Sequence, residues 1–243
     1  MISGGTLGKT TTLMNLESFD QCSLDIDLCW GTDCPNVGHM RAGLLGQNFP
    51  ILCSGLILGN WQHSCQVWGY ETPVLTIPDK VVPMIIQWDN DSIWLSGGDR
   101  DGAIGSIDSV IVSFDGVTPG PDLPYSTSEY CIVKVNDDLF AIMGGEEHHH
   151  HMRFFNKTTN AWSPGPDLLI GHRKRHVCGV FQIKGTQYIA LIGGMAPDLS
   201  YLDKVEFFNM RTNSWEMGKV KRWSINIKAE FYPEYFNYRT SIG

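Results

Sequence analysis

The stretch Tyr188-Ile-Ala-Leu-Ile-Gly-Gly194, followed by Val205-Glu-Phe-Phe-Asn209 and Trp215, decides the fold because the chain contains it more than once. An apolar run closes in two glycines, an aromatic run follows, and a tryptophan stands seven residues beyond the second Phe. One unit earlier the same order appears as Asp138-Leu-Phe-Ala-Ile-Met143, Gly144-Gly145, Met152-Arg-Phe-Phe-Asn156 and Trp162. Self-similarity at a fixed period of a few tens of residues marks a stack of small units, none of which buries its faces alone.

Working outward, the pairs Gly4-Gly5, Ser54-Gly55, Gly97-Gly98, Gly144-Gly145 and Gly193-Gly194 have second members 50, 43, 47 and 49 residues apart. The chain stops at Gly243, where a sixth pair is due. Between the aromatic run and the tryptophan lie Lys157-Thr-Thr-Asn160 and Met210-Arg-Thr-Asn213, whose Asn and Thr suit a hairpin connection. The third unit uses Phe114-Asp-Gly-Val117 instead, and Asp-Gly is a strong two-residue hairpin signal. Pro119-Gly-Pro-Asp-Leu123 and Pro164-Gly-Pro-Asp-Leu168 are identical turns that send the chain to the next unit.

Composition agrees with strands. Twenty-six glycines, twelve prolines and eight tryptophans in 243 residues point to many short strands and tight turns in an all-β chain. At 42% hydrophobic the chain can bury a sizeable core. A net charge of −8 argues against nucleic acid, which requires a basic face to displace counterions. Apolar stretches such as residues 51 to 58 are far shorter than the ~20 residues that span a bilayer. Residues 1 to 7 have neither a basic start nor an apolar stretch, which predicts an internal piece of a longer protein.

The repeating unit resembles the kelch repeat, in which an apolar strand closes in Gly-Gly, an aromatic strand follows, and a Trp comes six to eight residues later. The resemblance covers essentially the whole chain and weakens in the first two units, where Leu75 holds the Trp position and Ser54 replaces a glycine. It implies one kelch-type β-propeller domain over residues 1–243, with four complete four-stranded blades plus terminal partial blades. The ring is either a fragment of six blades or a closed five. Residues 225 to 243 are expected to supply two inner strands.

Three motifs compete with the repeat for chemical meaning. Ser3-Gly-Gly-Thr-Leu-Gly-Lys-Thr-Thr11 looks like a phosphate loop, but Ser3 stands where the first glycine is needed, and the β-prone residues after it are not a helix start. His148 to His151, preceded by Glu146 and Glu147, offers imidazoles to a metal. Consecutive residues on an extended segment point to alternate sides, and no second ligand cluster can be placed beside them, so a solvated loop and no metal site is the expectation. No Gly-x-Ser-x-Gly elbow occurs.

The seven cysteines fall into positional groups. Cys131 and Cys178 open equivalent strands of neighbouring units, Cys53 and Cys65 flank the second glycine pair, and Cys29 and Cys34 share a turn-rich insertion, with Cys22 left over. Buried free thiols packing as small hydrophobes remain an alternative to bridges; equivalent placement favours disulfides. The same arrangement resembles a group of secreted invertebrate kelch-like proteins, which implies an extracellular location, with the cytoplasm as the alternative. Two sequons, at Asn90 and Asn156, fall in expected turns and agree with secretion.

Alternating strand directions put the loop after each glycine pair and the connection between units on one face, and loops carry function in such architectures. That face offers residues 56 to 63, Asp99, Arg100 and Asp101, Glu146, Glu147 and His148, and Asp198, with 125 to 129, Arg173 and Arg175 between units. The resemblance implies a non-catalytic scaffold that recognises a protein, or a glycan, without cofactor. The alternative is a copper-propeller oxidoreductase of the galactose-oxidase type, whose Tyr, His and Tyr–Cys set cannot be placed on this chain.

Overall fold

A computed structural model describes residues 2–3, 11–14, 21–24, 37–38, 41–46, 49–54, 56–57, 60–67, 74–79, 83–100, 104–146 and 150–218. Among them every regular element is a β-strand. The chain begins with β1 (Ile2–Ser3), β2 (Thr11–Met14) and β3 (Gln21–Leu24), a three-stranded antiparallel sheet. The Thr-rich segment after the glycine-lysine motif is therefore a strand, not the helix a phosphate loop requires.

Four four-stranded antiparallel sheets follow. Before the first comes the short β4 (Val37–Gly38). Sheet I contains β5 (Arg41–Leu45) and β6 (Phe49–Cys53), then is interrupted by β7 (Leu56–Ile57) and β8 (Asn60–Trp61), which pair with each other, β7 also pairing with β4. It is completed by β9 (Ser64–Val67) and β10 (Leu75–Thr76). The other three are plain meanders: sheet II of β11 (Met84–Gln87), β12 (Ser92–Ser96), β13 (Ser109–Ser113) and β14 (Gly116–Pro119); sheet III of β15 (Cys131–Lys134), β16 (Leu139–Met143), β17 (Met152–Asn156) and β18 (Ala161–Pro164); sheet IV of β19 (Val177–Ile183), β20 (Thr186–Ile192), β21 (Val205–Asn209) and β22 (Ser214–Met217).

The first strands β5, β11, β15 and β19 contact one another in succession, so the sheets stack side by side as in a β-propeller. Each inner sheet then buries both faces, and strand alternation sorts its side chains between two cores. In β16, Phe140 and Ile142 join the core shared with sheet II, while Ala141 and Met143 join the one shared with sheet IV. The II–III core is aromatic: the Trp94 ring meets Phe140 edge-on at 5.4 Å, and Trp88 stacks on Phe140 at 5.3 Å. The III–IV core is mostly aliphatic, built from Val133, Met143, Met152, Ile189 and Leu191 around Phe208 and Trp215. Fully burying a side chain of this size stabilises the fold by roughly 1.5–3 kcal/mol.

The repeated tryptophans also staple units together. Trp162 Nε1 donates to the Asp122 carbonyl at 2.8 Å, and Trp215 Nε1 to the Pro166 carbonyl at 3.0 Å, both acceptors lying in the Pro-Gly-Pro-Asp turns. The glycine pairs close the second strands in left-handed backbone. Gly97, Gly144 and Gly193 have φ of 58°, 66° and 62°, and Ser54, their counterpart in sheet I, keeps φ 57° despite its side chain. A Cβ on Gly194 (φ +96°) would sit 2.6 Å from the Lys174 carbonyl oxygen, so that position excludes any side chain.

Two disulfides are formed. Cys53 and Cys65 face each other across β6 and β9 with Cα atoms 4.0 Å apart. Cys131–Cys178 ties β15 to β19, Cα to Cα 6.0 Å, across 47 residues. Cys29 and Cys34 lie outside the described residues, as do residues 219 to 243 with their expected inner strands. No helix among the described residues is long and apolar enough to cross a membrane.

Candidate functional site

The loops after the glycine pairs and the connections between sheets share one face, as the strand order requires. Backbone hydrogen bonds hold neighbouring loops together there. The Gly145 N–H donates to the Arg173 carbonyl at 3.0 Å, Glu146 N–H to the Ser128 carbonyl at 2.9 Å, and Arg175 N–H to the Glu129 carbonyl at 2.9 Å.

On this framework sits a charge network drawn from three segments. Lys174 Nζ lies 2.7 Å from Glu146 Oε1 and 3.8 Å from Glu129 Oε2, and Arg175 Nε donates to Glu129 Oε1 at 2.6 Å. The Glu129 hydrogen bond raises the already high pKa of Arg175 further. Glu129 belongs to the II–III connection, Glu146 to the sheet III loop, and Lys174 and Arg175 to the III–IV connection. The acidity expected of these loops is thus matched locally by cations, with Arg100 likewise paired to Asp108. Asp99 accepts the Gly105 N–H at 3.0 Å, and Asp198 accepts from Ser200 N–H and Oγ at 2.9 and 2.6 Å, which holds its carboxyl below the usual range. Both shape their own loops. Asp101, Glu147 and His148 lie outside the described residues.

Arg173 departs from the expectation of an exposed loop cation: it is fully buried and turned inward toward Glu206 of β21, itself fully buried, with Nη2 to Oε2 3.5 Å. A guanidinium left in that interior without a carboxylate would be prohibitively desolvated, and Glu206 answers it. Glu206 also accepts the Ile170 N–H at 2.6 Å, fixing the start of the connection. His176, beside them, is buried. Burial, reinforced by the Arg173 charge, pushes its pKa down to about 3, so it is neutral in the folded protein at physiological pH.

The histidine run also departs from expectation. His150 and His151 flank the entry to β17 with ring centroids 4.0 Å apart, and Asp167 of the second Pro-Gly-Pro-Asp turn stands against them, its Oδ1 3.0 Å from His151 Nδ1. The His172 ring meets His150 edge-on at 5.4 Å. The partner cluster that no spacing in the sequence signalled is thus supplied by the next connection, 16 residues from His151.

The face also carries apolar groups. Ile104 (62% exposed), Leu169 (54%), Leu199 (61%) and Tyr201 (85%) project from its loops. Sequence reading reached the loops but not these side chains, because the glycine pairs mark only where a loop begins. A shallow cavity of about 430 Å³ opens instead on the opposite face, between Trp88, Ser92 and Ile111, with sequon residue Asn90 on its rim. Asn90 is exposed; Asn156 is half-buried and its side-chain oxygen accepts the Thr159 N–H at 2.9 Å.

No model of a known protein family matches the chain, and no curated protein matches it either.

Proposed function

We propose that this chain is a kelch-type β-propeller acting as a non-catalytic scaffold, and that its loop face recognises a protein. One observation carries the reading: exposed apolar side chains, Ile104, Leu199 and Tyr201 among them, stand on the same loop face as a charge network whose segments are held together by main-chain hydrogen bonds. Exposed apolar and aromatic groups beside ordered charges are the usual makeup of a protein-binding surface, with Tyr and Arg its strongest anchors. Repetition of the Gly-Gly, Phe-Phe and Trp positions supports the kelch assignment, as does the side-by-side stacking of four sheets.

Two disulfides support an extracellular, oxidising setting for the scaffold, since reducing compartments keep thiols free.

The test is comparative capture of extracellular proteins on immobilised wild type, on a Leu199→Asp/Tyr201→Ser variant, and on Ile183→Asp, the exposed last residue of β19 before the hairpin turn on the opposite face. A protein held by the first and third and lost from the second supports the reading; capture that is equal on all three overturns it.

A further inference from the structure

We infer that His150, His151 and Asp167 form a zinc-binding site at the seam between sheets III and IV. Each residue offers one ligand atom, and the three lie within 4.8 Å of one another. His151 Nδ1 is 3.0 Å from Asp167 Oδ1 and His150 Nε2 is 4.0 Å from Asp167 Oδ2. Tetrahedral zinc with bonds of about 2.0–2.1 Å needs its ligand atoms roughly 3.3 Å apart, so small torsions of the exposed Asp167 side chain bring the set to bonding distance.

Three features separate this group from a chance meeting on a polar surface. The ligands come from two segments already locked together, because Leu168 N–H donates to the His150 carbonyl at 2.9 Å and Gly144 N–H to the His151 carbonyl at 3.1 Å. Little ordering entropy then remains to be lost on binding. His150 stands in a turn rather than on the strand, which lets both imidazoles serve one side where an extended run would have split them. His150 turns Nε2 toward Asp167 Oδ2 at 4.0 Å and keeps Nδ1 shielded from solvent, so the nitrogen offered to the ion is the one on the Asp167 side. His172, edge-on to His150, or a water completes four-coordination.

Two imidazoles and one carboxylate match a borderline cation such as Zn²⁺ and mismatch Ca²⁺, which takes six to eight oxygens. The bound ion would clamp His150 and His151, at the entry to β17, to the connection carrying Lys174 and Arg175, making the geometry of the loop face depend on metal.

The experiment is calorimetric titration of the full chain, made without a polyhistidine tag and stripped by chelator, with ZnCl₂ and separately with CaCl₂. One equivalent of zinc should bind. Affinity should fall at least tenfold in Asp167→Asn, vanish in His150→Ala/His151→Ala, and stay within threefold in His148→Ala/His149→Ala. Zinc should raise the melting temperature only in proteins that retain the site. Zinc binding that ignores Asp167→Asn, or that follows the 148/149 pair, overturns the proposal, because the histidine run then binds by itself. Absence of zinc binding, or equal binding of calcium, overturns it too. Should Asp167→Asn melt abnormally without metal, His151→Gln is read by the same criteria.

Discussion

The seam between sheets II and III and the seam between sheets III and IV separate equivalent surfaces of one repeat, yet they are filled by different chemistry. At II–III the space is taken by rings, with Trp88, Trp94, Phe140, Phe155 and Trp162 in mutual contact. At III–IV the core is largely aliphatic and is supplemented by the Arg173–Glu206 ion pair and the Cys131–Cys178 bridge. Stacked units fix which positions face a neighbour, not what stands there. A ring-filled seam gains by area and dispersion, whereas a charged one gains specificity of pairing at the cost of desolvation.

The largest expected effect attacks the aromatic seam: Trp94→Ala should destabilise by about 5 kcal/mol in urea unfolding, since a fully buried indole leaves a cavity its neighbours cannot fill. Removing the bridge with Cys131→Ser and Cys178→Ser together should cost about 4 kcal/mol by the loop-entropy relation, and dithiothreitol should lower wild-type stability by more than that, because it also opens Cys53–Cys65. Glu206→Gln should cost about 3 kcal/mol by leaving the Arg173 charge buried without a counter-ion. If Glu206→Leu paired with Arg173→Met matches or exceeds wild-type stability, the ion pair serves specificity, and the contrast between the seams is sharpened.

His176 makes the charged seam acid-sensitive. Its folded-state pKa of about 3 lies below the ordinary value of 6.5, so under acid the unfolded chain takes up a proton that the folded chain refuses. Its contribution is intact above pH 6.5 and declines by roughly 1 kcal/mol per pH unit as pH falls from there toward 3. Urea midpoints measured across that range should flatten in His176→Phe. The smallest expected effect has the opposite sign: Ser54→Gly should stabilise by about 0.5 kcal/mol, because a non-glycine residue there bears the left-handed penalty that glycine escapes.

Much of this was written into the chain, for physical reasons that differ by residue. The glycine pairs were legible because left-handed backbone at the end of each second strand leaves few alternatives, and even the degraded Ser54 keeps the conformation. Cys131 and Cys178 were legible because both stand at the start of the first strands of adjacent units; they are one register step apart, Cys131 opposite Met143 and Cys178 opposite Leu191, and that step turns the two thiols toward each other across the seam. The Leu56 to Trp61 region, expected as loop, instead holds a short hairpin that recruits Val37–Gly38, a pairing too brief to leave a periodic trace. Arg173 and Arg175 read alike in sequence, two residues apart, but one is buried against Glu206 and the other meets Glu129 at the surface. Asp167 was hidden for the opposite reason: its turn repeats that of Asp122, and repetition suggests structure before chemistry.

The Cys131–Cys178 bond has one more consequence. It encloses all of β15 to β18, so sheet III is a covalent macrocycle threaded into the stack. A protease that cuts once anywhere between Cys131 and Cys178 opens a ring without releasing a fragment, and the nicked protein remains a single molecule until it meets a reductant.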